Sequence, residues 1–392
     1  MIPAGEPGRA STFIRLAGFY AAYFFIVGIV LPFWPVWLDH KGLGPAEIGS
    51  VLAVVSWLKL VAYPIAARIA DITGRVRATA ILSVLGALAG YAALSMAQGY
   101  WAILVLYALT SAMLSPSVPL VESVTLRSAE RLNLDYGRIR LWGSIAFIVA
   151  SIGGGAWLTD RSPDWILGIV LTGVAALLAI TVLLPNPERD ATSGSARPSV
   201  RQLLVNRRFM LFLIAAGCLQ ASHGVYYAFG TLHWQDVGLS RATIGQLWAV
   251  GVVAEIGLFA IAGRFGKHLH PTALLVLAAA GGIIRWPLLA WSDDPMVLFP
   301  SQLLHALTFG AAHLGAMGFL ARAVPSGLSA TGQSIYYASG GLFMGASMPL
   351  AGVLYGALGS SAYLAAAAAS LAGLIGALVL AKVWRQDVLS IG

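Results

Sequence analysis

A chain of 392 residues, 58% of them hydrophobic and only 10% charged, is no water-soluble globular domain, since such domains carry about 25% charged residues. The net charge of +8 does not point to nucleic acid either, because the basic residues gather in loops between apolar runs. The single cysteine, Cys218, excludes an intrachain disulfide and every cysteine-based metal spacing, and no third carboxylate or cysteine accompanies His305 and His313, so no metal is expected, and no cofactor either.

A membrane-crossing helix needs ~20 apolar residues. Residues 1–11 are polar and rich in Gly and Pro, and the apolar run after them is too long for a signal-peptide core. It is therefore predicted as the first span, and no cleavable signal is expected. In chain order the predicted spans are 13–38, 46–69, 76–97, 101–124, 138–159, 164–184, 209–233, 241–262, 272–291, 296–321, 328–355 and 359–383. The expected fold is all-α and integral to the membrane, with twelve transmembrane helices. Residues 1–184 would form one six-helix half and 209–392 the other. Residues 185–208, proline-, serine- and charge-rich, would form the linker between them.

Lys and Arg placement sets the expected orientation. With the N-terminus in the cytoplasm, 19 of the 24 basic residues fall inside and only Lys41, Arg161 and Arg241 outside. Lys59 and Arg285 lie within spans. Both termini are then cytoplasmic, and the chain is expected to work as a monomer in a bacterial inner membrane.

Five ionisable residues interrupt the apolar runs, namely Lys59, Glu122, Glu255, Arg285 and His305, and Arg140 stands at the mouth of another. A charge at the bilayer centre costs at least ~2.5–3.5 kcal/mol, so these groups must face an interior where they pair, meet water or hold a ligand. Glu255 and Arg285 are read as one buried pair, and Glu122 and Arg140 as its counterpart. A static structural ion pair is the alternative for each. Lys59 could hold a substrate carboxylate or pair with Glu122. His305 is read as a proton-handling or hydrogen-bonding residue; His313, eight residues on, is equally a packing histidine. His223, Tyr226 and Tyr227 are candidate pore-lining residues or core packing.

In the first span Tyr20, Tyr23 and Phe24 precede Pro32 and Pro35, which predict a bend. Trp34 and Trp37 read as members of an interfacial aromatic belt. Glycines 153–155 and 340–341 predict close helix approach. No clustered nucleophile, metal set or acidic pair marks an enzyme.

The loop 67–77 (ARIADITGRVR) resembles the signature loop of the major facilitator superfamily, with Asp71, Gly74, Arg75 and Arg77 in place. Ala67 stands where the family has its first glycine and Val76 where it has a basic residue. The resemblance implies a gating role for that loop, and 263–267 (GRFGK) is a degenerate echo of it. The superfamily has two six-helix halves that rock about a midplane site. Within it, 135–144 (DYGRIRLWGS), 222–230 (SHGVYYAFG), 247–255 (LWAVGVVAE), 285–286 and 302–313 (QLLHALTFGAAH) are similar to the phenylpropionate permease-like family.

That family is a distant relative of the lactose permease group, where a glutamate and an arginine bind sugar at the spacing of Glu122 and Arg140, 18 residues apart. Arg285 and His305 resemble its proton-coupling arginine and histidine, and Glu255 a further carboxylate. The proton-site carboxylate after the histidine is replaced here by Thr308. The resemblance implies a proton-coupled symporter of a small organic acid, of the aromatic phenylpropionate kind, with protons, the substrate and the bilayer as its only partners. Lys59, Glu122, Arg140, His223, Tyr227 and Arg285 would bind substrate, and Glu255 and His305 would carry the proton. A lactose-like sugar symporter and an efflux carrier are the alternatives.

Overall fold

The computed structural model describes residues 8–185, 200–265, 270–325 and 328–389. Most of the predicted linker and the 266–267 part of the glycine-rich echo lie outside them. All regular structure among the described residues is helical. The helices are α1 Arg9–His40, α2 Pro45–Thr73, α3 Val76–Leu94, α4 Tyr100–Leu114, α5 Ser117–Leu132, α6 Tyr136–Leu158, α7 Asp164–Val182 and the short α8 Val200–Leu204. There follow α9 Arg207–Ala221, α10 Gly224–Asp236, α11 Arg241–Phe265, α12 Pro271–Trp291, α13 Pro295–Leu303, a π turn Ala306–Ala311, α14 Ala312–Ala323, α15 Ser329–Leu358 and α16 Tyr363–Val383.

Among the described residues eleven stretches are long and apolar enough to cross a membrane, the last of them Thr331–Val383 with 53 residues. At 1.5 Å per residue, that last stretch is more than twice what a ~30 Å hydrocarbon layer needs. It holds α15 and α16, parted by a 3-10 turn at Gly359–Ala362. Twelve crossings result among the described residues. Three are broken helices, α4–α5, α9–α10 and α13–α14. The first breaks at Ser115 and Pro116, the proline lacking the N–H that would continue the ladder. The helix α1 runs through both Pro32 and Pro35.

The chain divides into two compact units, one within Met1–Thr192 plus Leu239–Gln246, the other within Ser193–Gly238 plus Leu247–Gly392. The short segment groups with the first unit for a clear reason. The C-terminal carbonyls of α6 have no partner within their own helix. Arg241 donates from Nη1 to the carbonyls of Leu158 at 2.8 Å and Arg161 at 2.7 Å, and Ala242 N–H donates to Thr159 Oγ1 at 3.2 Å. A Cβ at Gly155 would collide with the Arg241 carbonyl, and one at Gly245 with that of Ser151. Of the glycines read as close-approach positions, Gly154 and Gly155 are tight, Gly153 faces open space, and Gly340 has only ordinary contact with Gln220.

The first unit is built on α1 packed along α6 and α7. Here the belt reading of two tryptophans is corrected. Trp34 and Trp37 are 1% and 0% exposed and stack on each other at 4.6 Å. Trp34 also stacks on Tyr107 at 4.7 Å and meets Tyr91 edge-on. The ring faces are covered by one another, while both indole N–H groups are buried without a hydrogen-bond partner among the described residues, a cost that the aromatic stacking has to offset.

In the second unit α12 packs against α16, and α16 against α9. Phe209, Phe212, Phe319, Leu380 and Trp384 lie in its buried core. The segment after α16 is strapped to the base of this unit. Leu389 N–H donates to Ala323 O at 2.8 Å, Trp384 Nε1 to Asp387 O at 2.9 Å, and Arg208 Nη1 to Asp387 Oδ2 at 2.8 Å.

Candidate functional site

The second unit gathers its polar side chains around one guanidinium. Arg285, on α12, is 0% exposed. Its Nη1 donates to His305 Nδ1 at 3.1 Å and to Thr308 Oγ1 at 3.1 Å, and its Nη2 to Gln302 Oε1 at 2.8 Å. The plane lies 4.6 Å from the Tyr226 ring and 4.8 Å from the Trp286 ring, contacts that favour a cation. Nε has no partner. Among the described residues every hydrogen-bond partner of this buried charge is neutral.

The donor inventory fixes the protons. Arginine only donates, so His305 Nδ1 is the accepting nitrogen and Nε2 carries the hydrogen. Nε2 points at Glu255 Oε2, 3.8 Å away. That is too long for a direct hydrogen bond and right for one bridged by water or closed by a small rotation. His223 Nδ1 lies 3.1 Å from the Leu219 carbonyl, which can only accept, so Nδ1 carries its hydrogen. Nε2 of His223 then accepts from Thr308 Oγ1 at 3.2 Å. Thr308 thus accepts from Arg285 and donates to His223. Tyr226 donates to Gln302 Oε1 at 2.9 Å, closing the ring of contacts.

Local backbone makes this possible. His305 opens the π turn, and Thr308 lies within it; π turns recur at functional sites. A Cβ at Gly251 of α11 would stand only 3.3 Å from His305 Cβ, so the glycine leaves the imidazole its place. The predicted direct pair of Glu255 with Arg285 is therefore corrected. His305 is inserted between them, because α11 is bare at Gly251 where the imidazole passes. His305 stacks on Phe309 at 5.4 Å, which in turn stacks on His313 at 6.5 Å. Tyr227 lies against His223 and Trp248, with ring separations of 5.4 and 6.1 Å.

The first unit holds a second cluster, and its predicted ion pair is also corrected. Glu122 on α5 accepts from Tyr20 Oη at 2.7 Å and, on its other oxygen, from Tyr136 Oη. Arg140 on α6 lies over the rings of Tyr20 and Phe24, at 4.8 and 4.9 Å, with Nη1 buried and unpartnered. Tyrosine hydroxyls have taken the carboxylate, and a tyrosine and a phenylalanine face have taken the guanidinium. Lys59 on α2 is half-buried and has no hydrogen-bond or ion-pair partner among the described residues, so the Lys59–Glu122 pair does not form.

In the signature loop Gly74 adopts φ 65, the left-handed conformation that closes α2 and turns the chain into α3. Arg77 donates to Leu184 O at 3.0 Å. Asp71 and Arg75 are exposed at the same end.

Sequence reasoning passed over Gln302, Tyr136 and Trp286. The first two could have been found by spacing. Gln302 precedes His305 by three residues and Tyr136 precedes Arg140 by four, intervals that bring side chains to one helical face. Trp286 carried no such signal, because its indole serves as a wall beside its own neighbour.

Twelve membrane-crossing helices carrying ionisable side chains in their interior define a membrane transporter of the major facilitator fold. The chain belongs to the MFS_1 like family, whose model matches residues 13–365. It is 32% identical over 356 residues to the probable 3-phenylpropionic acid transporter of Escherichia coli K12, covering 88% of this chain and 91% of that one. It is 29% identical over 327 residues to the maltose permease of Geobacillus stearothermophilus, covering 82% of each. The solved nucleoside transporter NupG superposes with a TM-score of 0.82 at 16% identity, over 95% of this chain and all of that one. Family and relatives are transporters and not enzymes.

Proposed function

We propose that this protein is a secondary active transporter that carries a small organic acid, of the aromatic phenylpropionate type, together with protons by alternating access. Its place would be the bacterial inner membrane, with both termini cytoplasmic and a monomer as the working unit. One observation carries the reading. Arg285 is a buried guanidinium held entirely by neutral partners, with an unpartnered Nε. A charge so placed is strongly destabilising until a counter-charge reaches it. A substrate carboxylate supplies that charge, in the bidentate form that arginine binds best. Tyr226, Tyr227, Trp248 and Trp286 supply an aromatic surround for a ring. Similarity to the phenylpropionic acid transporter supports the same class.

The hydrogen-bond directions give a coupling mechanism. His305 cannot hold a proton on Nδ1 while Arg285 donates to it. A carboxylate that draws Nη1 away frees Nδ1, and the imidazole beside Glu255 then takes up a proton. Release of the substrate restores the Arg285–His305 bond and expels the proton through Glu255. Substrate and proton are thereby linked through a single nitrogen. The first unit holds two further cations without a hydrogen-bonded counter-charge among the described residues, Lys59 and the buried Nη1 of Arg140.

A sugar symporter is the second reading, favoured by the likeness to the maltose permease. It is weaker because both carboxylate oxygens of Glu122 are occupied by tyrosines. Efflux uses the same machinery under the opposite gradient. The decisive experiment is uptake into proteoliposomes under an imposed pH gradient, with 3-phenylpropionate, other aromatic acids, maltose and lactose offered separately. Accumulation of an aromatic acid, abolished by a protonophore, is expected. Accumulation of sugars only would replace the substrate class, and no accumulation of any compound would sink the symporter.

A further inference from the structure

An open cavity of about 760 Å³ lies at one end of the first unit, between the first turns of α1 and the approach to α6. Its size is that of a ligand pocket. Two guanidiniums, Arg9 and Arg138, face it. Arg9 Nη2 donates to the Asn133 carbonyl at 2.6 Å, which anchors the arginine to the wall. The Arg138 guanidinium is exposed and has no hydrogen-bond or ion-pair partner among the described residues. Asp135 also lines the cavity, but its carboxylate is engaged, capping α6 through the Arg138 backbone N–H at 3.1 Å. The carboxylate keeps its charge while capping, and two guanidiniums against it leave the opening net positive. Beside it lie Phe13 and Ile14, the latter 67% exposed.

The level of this cavity identifies its occupant. With 32 residues, α1 is about 48 Å long, against a hydrocarbon layer of ~30 Å. Roughly 9 Å projects at each end if the excess is shared, and Arg9 to Ile14 spans about 7.5 Å of helix. The two arginines then stand at headgroup depth, with Ile14 at the top of the acyl region. Basic pockets at the ends of transmembrane helices suit anionic lipid headgroups. We infer that this cavity binds an anionic phospholipid, its phosphate between Arg9 and Arg138 and the start of an acyl chain along Phe13 and Ile14.

The test uses the purified full-length chain in detergent, with bound lipid counted by native mass spectrometry. The probes are dioctanoyl phosphatidylglycerol, dioctanoyl phosphatidylcholine and the water-soluble sn-glycerol 3-phosphate. Phosphatidylglycerol is expected to bind at least tenfold tighter than phosphatidylcholine, and Arg138→Gln to remove that preference. Ile14→Asn is expected to weaken phosphatidylglycerol binding severalfold while leaving glycerol phosphate unchanged; it keeps the test open if Arg138→Gln does not fold. Equal binding of the two lipids, or wild-type binding by folded Arg138→Gln, overturns the site. Glycerol phosphate binding as tightly as phosphatidylglycerol, with Ile14→Asn silent, shows a soluble-anion site and overturns the lipid.

Discussion

Arg285 donates from Nη1 to Nδ1 of His305 across 3.1 Å, so the arginine and a proton compete for one nitrogen. This exclusion links the buried cation to the titratable pair of His305 and Glu255, and the first two predictions rest on it.

Replacing Glu255 with Gln removes the only carboxylate within 4 Å of His305 among the described residues. Accumulation of acid driven by a pH gradient should fall more than ~10-fold, a loss of about 1.4 kcal/mol in the solute gradient the carrier sustains. Substrate exchange at equal pH on both sides should change less than about threefold, because no net proton need move. Radiolabel uptake and counterflow on the same vesicles measure the two. Undiminished gradient-driven uptake would remove Glu255 from the coupling path.

Thr308→Asp should place a carboxylate on Arg285 where the hydroxyl now accepts at 3.1 Å. The protein would then satisfy its own cation, and an acidic substrate should bind about tenfold or more weaker, as expected for loss of a charged hydrogen bond. Thr308→Val serves as control; it strips the hydroxyl without adding charge and should cost only a few-fold. KM for the acid distinguishes them, and an unchanged KM in Thr308→Asp contradicts the role given to Arg285.

Glu122→Gln separates the two substrate classes. Its oxygens are bound by Tyr20 and Tyr136, and a carboxamide oxygen can replace one of those acceptors. Uptake of an aromatic acid should survive within about threefold, the change expected when one such hydrogen bond is weakened. A sugar carrier that uses this carboxylate would lose transport altogether. Competition of maltose against the acid in both proteins reads out the difference.

The positions of the membrane crossings were legible because each needs some twenty apolar residues, and a polar or glycine-bearing loop interrupts that pattern visibly. The ionisable residues were legible for the same reason, standing out against hydrocarbon. Their partners were not. Glu255 and Arg285 carry opposite charge on consecutive crossings, but whether they meet depends on helix rotation and on the gap at Gly251, which admits His305. Glu122 and Arg140 were likewise paired by charge, whereas aromatic hydroxyls and faces compete for both. Trp34 and Trp37 were misplaced because position along a helix gives depth in the membrane and not whether the face is lipid or protein.

The strap after α16 has a pH dependence of known sign. The Arg208 guanidinium, hydrogen-bonded to Asp387, holds that carboxyl below its usual range. A carboxylate lowered in the folded state contributes stability that is complete above its ordinary value of about 3.9 and fades as pH falls through the lower folded one. The exposed pair should thus add a small hold on the segment at neutral pH that is lost in strong acid, while the bonds of Leu389 and Trp384 remain. Asp387→Asn should make the segment more protease-sensitive than the wild type at neutral pH, with cleavage after Arg385 as the signal. Equal protection of both proteins at neutral pH would deny the ion pair any such role.

The π turn at Ala306–Ala311 bears on how chemical labelling of this crossing must be read. One inserted residue rotates everything beyond it by about 100° relative to a continuous helix. A cysteine scan from 295 to 323 should therefore show two labelling patterns, each regular, with a phase jump between them. Projected on a single wheel, half of the solvent-reached positions would be assigned to lipid.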